Sequence, residues 1–185
     1  MNHGYIMIGV AEPSPGTAIA NVRFQVACQR GLVAKYSGLK VRPMYRIREV
    51  DTQDDETADT LVELHQLTFF SGAPIPDFDH GHWWIAFRDK VPAAFAGIVP
   101  STHAGNAGYF CRVGVLQEHC GHRLQLRLMR ALERRARRNG WSSVVSDTTD
   151  NHFSANNFIG AGYRLFRPQA PWAWPHTLYW RKIIK

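Results

Sequence analysis

Residues 108–141, GYFCRVGVLQEHCGHRLQLRLMRALERRARRNGW, restrict the fold more than any other stretch. The apolar run 108–116 predicts a long strand. After it, Leu124, Leu128, Leu132 and Ala136 recur every fourth residue, widened by Met129. Arg123, Arg127, Arg130, Arg134, Arg137 and Arg138 spread mostly over the other faces. This predicts an amphipathic helix over 121–141, stopped by Asn139-Gly140. A glycine turn joins the strand directly to that helix. Such a junction aims several unpaired backbone N–H groups at one point. The helix dipole adds partial positive charge there, so the junction suits phosphate without requiring any particular side chain.

The rest of the chain supplies partners for that unit. YRIREV (45–50) alternates as a strand, and 52–70 has an acidic start with Leu61, Leu64, Leu67 and Phe69 at helical spacing. SGAPIPDFDHG (71–81) is a Pro/Gly loop. HWWIAFRD (82–89) and AAFAGIV (93–99) are strands around a tight connection at 90–92. SSVVSDT (142–148) predicts a strand and NHFSANNFIGAG (151–162) a short helix ending at glycine. YRLF (163–166) and TLYWRKII (177–184) are strands flanking RPQAPWAWPH. The order from residue 45 is β-α-β-β-β-α-β-α-β-β, a mixed α/β domain with one central sheet.

Residues 1–43 are Gly/Ala/Ser/Pro-rich with weak periodicity, and AEPSPGTA (11–18) reads as a linker. They are expected to be a poorly ordered extension of a domain spanning 44–185; a start of translation at Met44 is the alternative. The net charge is +7, of which residues 1–43 hold +4 (Arg23, Arg30, Lys35, Lys40 and Arg42 against Glu12). The domain itself is therefore only mildly basic, its arginines gathered in one helix. That face reads as solvated and no nucleic-acid partner is expected, with a basic nucleic-acid-binding module as the alternative. No run of about 18 apolar residues occurs, so no membrane span or membrane partner is expected. The first twenty residues carry no Lys or Arg and no clean apolar core before a cleavage site, so no secretory signal is expected. The odd set Cys28, Cys111 and Cys120, without CxxC, points to reduced thiols in a cytoplasmic setting.

EHCGHR (118–123) packs His119, Cys120 and His122 around Gly121. Zinc needs three or four convergent ligands. No second cluster at a familiar spacing completes a set, so no metal is expected. A thiol at a helix N-terminus has a lowered pKa, so Cys120 is open to reactivity. The stretch is read chiefly as a loop whose backbone matters. Trp83 and Trp84 read as core and loop anchors. Trp172 and Trp174, in the Pro-bounded PWAWP, would be costly to expose without a use. Asp147 and Asp150 are alternatively caps for the helix at 151.

The strand–helix junction resembles the main motif of the GNAT superfamily of acetyltransferases: a strand ending V-x-P, then [Q/R]-x-x-G-x-[G/A]. Val115 is the motif valine and Gln117 stands where Pro is common. Cys120 replaces the usual Arg, Gly121 is kept, and Arg123 and Gln125 replace small residues. A second motif, N-x-x-[A/S]-x-x-x-Y-x-x-x-G-[F/Y], is matched by Asn151, Ser154, Phe158, Gly162 and Tyr163 in register. The resemblance covers 44–185.

It implies a mostly antiparallel, splayed sheet flanked by helices. It implies transfer of acetyl from acetyl-CoA, a co-substrate, to a primary amine that attacks directly. Backbone groups around Val113 and Val115 would hold the pantetheine. N–H groups of Gly121, His122, Arg123, Leu124 and Gln125 would hold the pyrophosphate, with Asn151 and Phe158 completing the cofactor side. The family's thiolate acid is the motif tyrosine, here Phe158. Ser154, or water, is the substitute candidate and Asp147 the candidate base. Trp172 and Trp174 would border the acceptor mouth, and the loop 71–81, with Asp77, Asp79 and His80, would form the opposite wall or a solvated loop. The acceptor is a small-molecule or protein amine, and homodimers are common in the family; with Phe158 at the tyrosine position, a non-catalytic acyl-CoA-binding module is the alternative.

Overall fold

A computed structural model describes residues 44–69 and 72–185. The expectations for residues 1–43 lie outside the described residues. The elements are β1 (Tyr45–Val50), α1 (Asp55–Thr68), β2 (His82–Arg88), β3 (Val91–Pro100), β4 (Ala107–Val115), α2 (Leu124–Arg138), β5 (Ser143–Thr148), α3 (His152–Gly160), β6 (Arg164–Leu165) and β7 (Leu178–Ile183). They follow the predicted order. They form one seven-stranded sheet, β1-β2-β3-β4-β5-β7-β6, antiparallel throughout except for β4 against β5.

Local chemistry sets the boundaries. The Asp54 carboxylate accepts the Thr57 N–H at 3.0 Å and starts α1, with Asp55 and Glu56 in the favourable first turn. Asp89 (φ 49°) and Lys90 (φ 73°) form the two-residue turn between β2 and β3, so β3 begins at Val91, earlier than expected. Pro92 is tolerated in this interior strand because the register shifts beside it, from Ala86↔Ala94 to Phe87↔Pro92. At the end of α2, the Gly140 N–H bonds the Arg137 carbonyl and the Trp141 N–H bonds that of Ala136. This Schellman closure needs the left-handed φ of 71° at Gly140.

Alternation gives the sheet two apolar faces. Ala94, Ala96, Ile98, Phe110 and Val144 meet Leu128, Met129, Leu132 and Ala136 of α2, with Phe158 and Trp180. Trp83, Ile85 and Phe95 meet Leu61 and Leu64 of α1, with Phe78. Trp83 and Trp84 are both buried, on opposite faces, as core residues. Arginines of α2 are tied within the chain. Arg127 donates to the Tyr45 carbonyl (2.7 Å), Arg137 to that of Lys185 (2.9 Å), and Arg135 and Arg138 reach Glu49 at 3.4 and 3.2 Å. This helix face, read as solvated, thus clamps α2 to β1 and to the chain terminus.

Candidate active site

β4 and β5 pair only at Ala107↔Ser143, Gly108↔Val144 and Tyr109↔Val145. Among the described residues no strand pairs with this edge of β4 beyond Tyr109. The Phe110 carbonyl at the parting is met by the Ser146 hydroxyl (2.8 Å). The Leu116 N–H bonds the Ala93 carbonyl of β3 (3.0 Å). Alternation then turns the amides of Val113 and Val115 the other way, into the slot. A register shift between Gly97 and Ile98 gives β4 one extra residue, Cys111. It turns Cys111 and Arg112 together towards α1.

At the open end of the slot, β4 leads through a 3₁₀ turn (Gln117–His119) into α2. Gly121 (φ 82°) and Arg123 (φ 57°) are both left-handed, which is why α2 starts at Leu124 and not at Gly121. No side chain caps this end. A Cβ on Gly121 would meet nothing within 4 Å, so the loop faces open space. The N–H groups of Leu124, Gln125 and Leu126 precede the first intrahelical bond, Arg127 N–H to Arg123 C=O. An uncapped helix start after two left-handed residues fits a pyrophosphate, and free strand amides fit a pantetheine chain, so the residues present suit a CoA thioester. His119 is turned away, its Nδ1 2.9 Å from the Tyr45 hydroxyl. The exposed His122 ring lies 5.3 Å from that of Tyr45. Among the described residues no group of three metal-ligating side chains exists.

At the parting itself, Asp147 Oδ1 accepts from the Tyr109 hydroxyl (2.6 Å) and from Trp172 Nε1 (2.8 Å). Both bonds fall on one oxygen and leave Oδ2 for an incoming donor. Burial, then the Asp147 carboxylate, pushes the Tyr109 hydroxyl far above its ordinary pKa. Tyr109 therefore stays a donor. His103, from the β3–β4 loop, stacks on Trp172 (4.3 Å between centroids) and meets Tyr109 edge-on (5.1 Å). Burial lowers its pKa, partly opposed by Asp147. The Cys111 thiol is pushed up to about 12 by burial, which keeps it protonated.

The predicted residues separate into groups. Asp147 and Trp172 come together; Trp174 does not join them and lies 46% exposed in the turn closed by Thr177 N–H to Trp174 C=O. Asn151, rather than Asp147 or Asp150, caps α3, accepting the Ser154 N–H at 2.9 Å. Gln125 bridges α2 to α3, donating to Ser154 Oγ (2.8 Å) and accepting from Asn157 (2.7 Å). Phe158 is buried among Phe110, Tyr163 and Trp180. In loop 71–81, Asp77 pairs with His80 at 2.7 Å, both largely exposed. Tyr109 and His103, which contact the Asp147–Trp172 pair, and Arg112 on the same face, are not among the expected site residues. Alternation within each strand leaves the relative face of Tyr109 and Asp147 to the register, so no local signal brings them together.

A model of the acetyltransferase (GNAT) family matches residues 41–163. Solved structures share the fold at low identity. An acetyltransferase of the GNAT family from Streptococcus pneumoniae is 13% identical, with a TM-score of 0.59, over 77% of this chain and 100% of that one. The ribosomal-protein-S18-alanine N-acetyltransferase from Escherichia coli is 12% identical, with a TM-score of 0.59, over 76% and 94%. Nourseothricin acetyltransferase is 18% identical, with a TM-score of 0.55, over 76% and 99%. No curated protein sequence matches the chain.

Proposed function

Because the chain belongs to the acetyltransferase (GNAT) family, we propose that it moves an acetyl group from acetyl-CoA to a primary amine, both held where β4 and β5 part. The observation that carries this reading is the slot itself, with an uncapped helix start at one end and an oriented carboxylate at the other. The acyl thioester supplies the activated carbonyl. The residues of this chain supply position. Val113 and Val115 amides align the pantetheine, and the N–H groups leading into α2 take the pyrophosphate. Asp147, fixed by Tyr109 and Trp172, draws the ammonium in through Oδ2 and accepts its proton. Holding two reactants in line accounts for much of the rate such an enzyme needs. Phe158 has no proton to give. A thiol pKa of about 8.5 makes the thiolate a tolerable leaving group without one.

Acetyl-CoA at about a hundred times its Kd should stabilise the full chain by about 2.7 kcal/mol, seen as a rise in Tm. No shift at millimolar acetyl-CoA sinks the reading. Thiol release with a panel of amines follows, and Asp147→Asn should lower kcat/KM by roughly 10²–10⁴ while leaving CoA affinity intact. A second reading, a non-catalytic acyl-CoA-binding module, is favoured by Phe158 alone. It predicts the Tm shift without thiol release for any amine.

A further inference from the structure

Two opposite charges, Arg112 of β4 and Asp147 of β5, stand on the two strands that part, both on the α1 face. β4 and β5 are parallel, and Tyr109↔Val145 is their last pair. Asp147 is therefore level with Cys111, one residue short of Arg112. Thr148, beside Asp147, accepts from Trp180 Nε1 within the α2/α3 core, so Asp147 points to the α1 side. The extra residue in β4 turns Arg112 to the same side, its Cζ 4.9 Å from the Phe69 ring centroid. Arg112 Nη2 donates to the Pro74 carbonyl at 3.0 Å. Among the described residues neither charge has an ion-pair partner, and they are not paired with each other. Each is oriented by neutral groups: a phenol and an indole for Asp147, a peptide carbonyl and a ring for Arg112.

A carboxylate and a guanidinium on the same face of two parting strands, not paired with each other, make a candidate dipolar site. We propose that the acceptor is a free amino acid, its ammonium on Asp147 and its own carboxylate on Arg112, whose planar fork suits that group. This rests on the reading of Asp147 as the amine's partner. It disfavours lysine side chains and N-termini of proteins, whose neighbouring carboxyls are amides. Tyr109 bonds Asp147, Cys111 precedes Arg112 on the same face, and both remain neutral.

The test is calorimetric titration of the full chain, saturated with CoA, with a panel of amino acids, each paired with its own carboxamide. The best acid should bind at least about tenfold more tightly than its amide, a gain on the scale of one charge-assisted hydrogen bond. Arg112→Met should bring the pair within about threefold by weakening the acid alone. Arg112→Lys, keeping the charge, should restore part of the preference, which separates lost charge from damaged folding. An acid–amide preference absent from the wild type, or unchanged in Arg112→Met, overturns the assignment, as does failure of every amino acid to bind. Asp147→Asn reports separately. If it leaves all amine affinities unchanged, the placement of the amine is wrong whatever Arg112 does.

Discussion

Gly121 and Gly140 provide a matched pair of perturbations. Both are left-handed (φ 82° and 71°), and a Cβ on either meets nothing within 4 Å. Alanine at each position carries the same backbone penalty, about 1–2 kcal/mol, without a clash in the free protein. For a domain of this size, 1 kcal/mol lowers Tm by roughly 3–4 °C. The two variants should therefore melt alike. Their ligand binding should differ. In the proposed reading the Gly121 methyl would project into the space that a pyrophosphate takes at the start of α2, whereas Gly140 closes the far end of that helix. Losing one charge-assisted hydrogen bond costs about 1.5–3 kcal/mol, or roughly 10- to 100-fold in affinity. Urea denaturation should show equal losses of stability, and calorimetry with CoA should show weakening in Gly121→Ala alone. Equal CoA affinities in the two variants, or weakening by Gly140→Ala, would refute the backbone cradle.

Gly97→Ala places a methyl on the buried Trp83 ring. It should destabilise the domain by about 1–3 kcal/mol or more, read as a lower urea midpoint with unchanged slope. Gln125→Ala breaks both side-chain bonds between α2 and α3 and should cost about 1–2 kcal/mol by the same measurement. Acid should also loosen the fold. Burial holds His65 below its ordinary pKa of 6.5, and its Nε2 has no hydrogen-bond partner. The unfolded chain then binds the proton more readily, so stability is complete above about pH 6.5 and falls as pH drops below it. His65→Phe should flatten that acid limb in urea midpoints followed from pH 7.5 to 5.

Much of this could be read residue by residue. Element order and the stop at Asn139-Gly140 are local events, governed by side chains within a turn of one another, whereas the cap of α3 falls on Asn151 and not on the expected Asp147 or Asp150. The Gly121 loop was legible for the same reason: a left-handed φ after a strand and before a helix needs little beyond its neighbours. The limits of α2 were less so, because helical spacing continues through Arg123 while its backbone turns left-handed.

The site's chemistry came from elsewhere. Tyr109 and Asp147 are 38 residues apart, and Asp147 and Trp172 are 25 apart. They meet only because β4 and β5 run parallel for three pairs and then separate. Arg112 shares the α1 face with Asp147 because one extra residue in β4 overrides the two-residue alternation, and no local propensity marks that position. Short-range periodicity thus determined which segments are helix and strand, and where backbone N–H groups are left free. Which charges face one another, and which remain unpaired, was decided by strand register and the opening of the sheet, which are properties of the assembled chain.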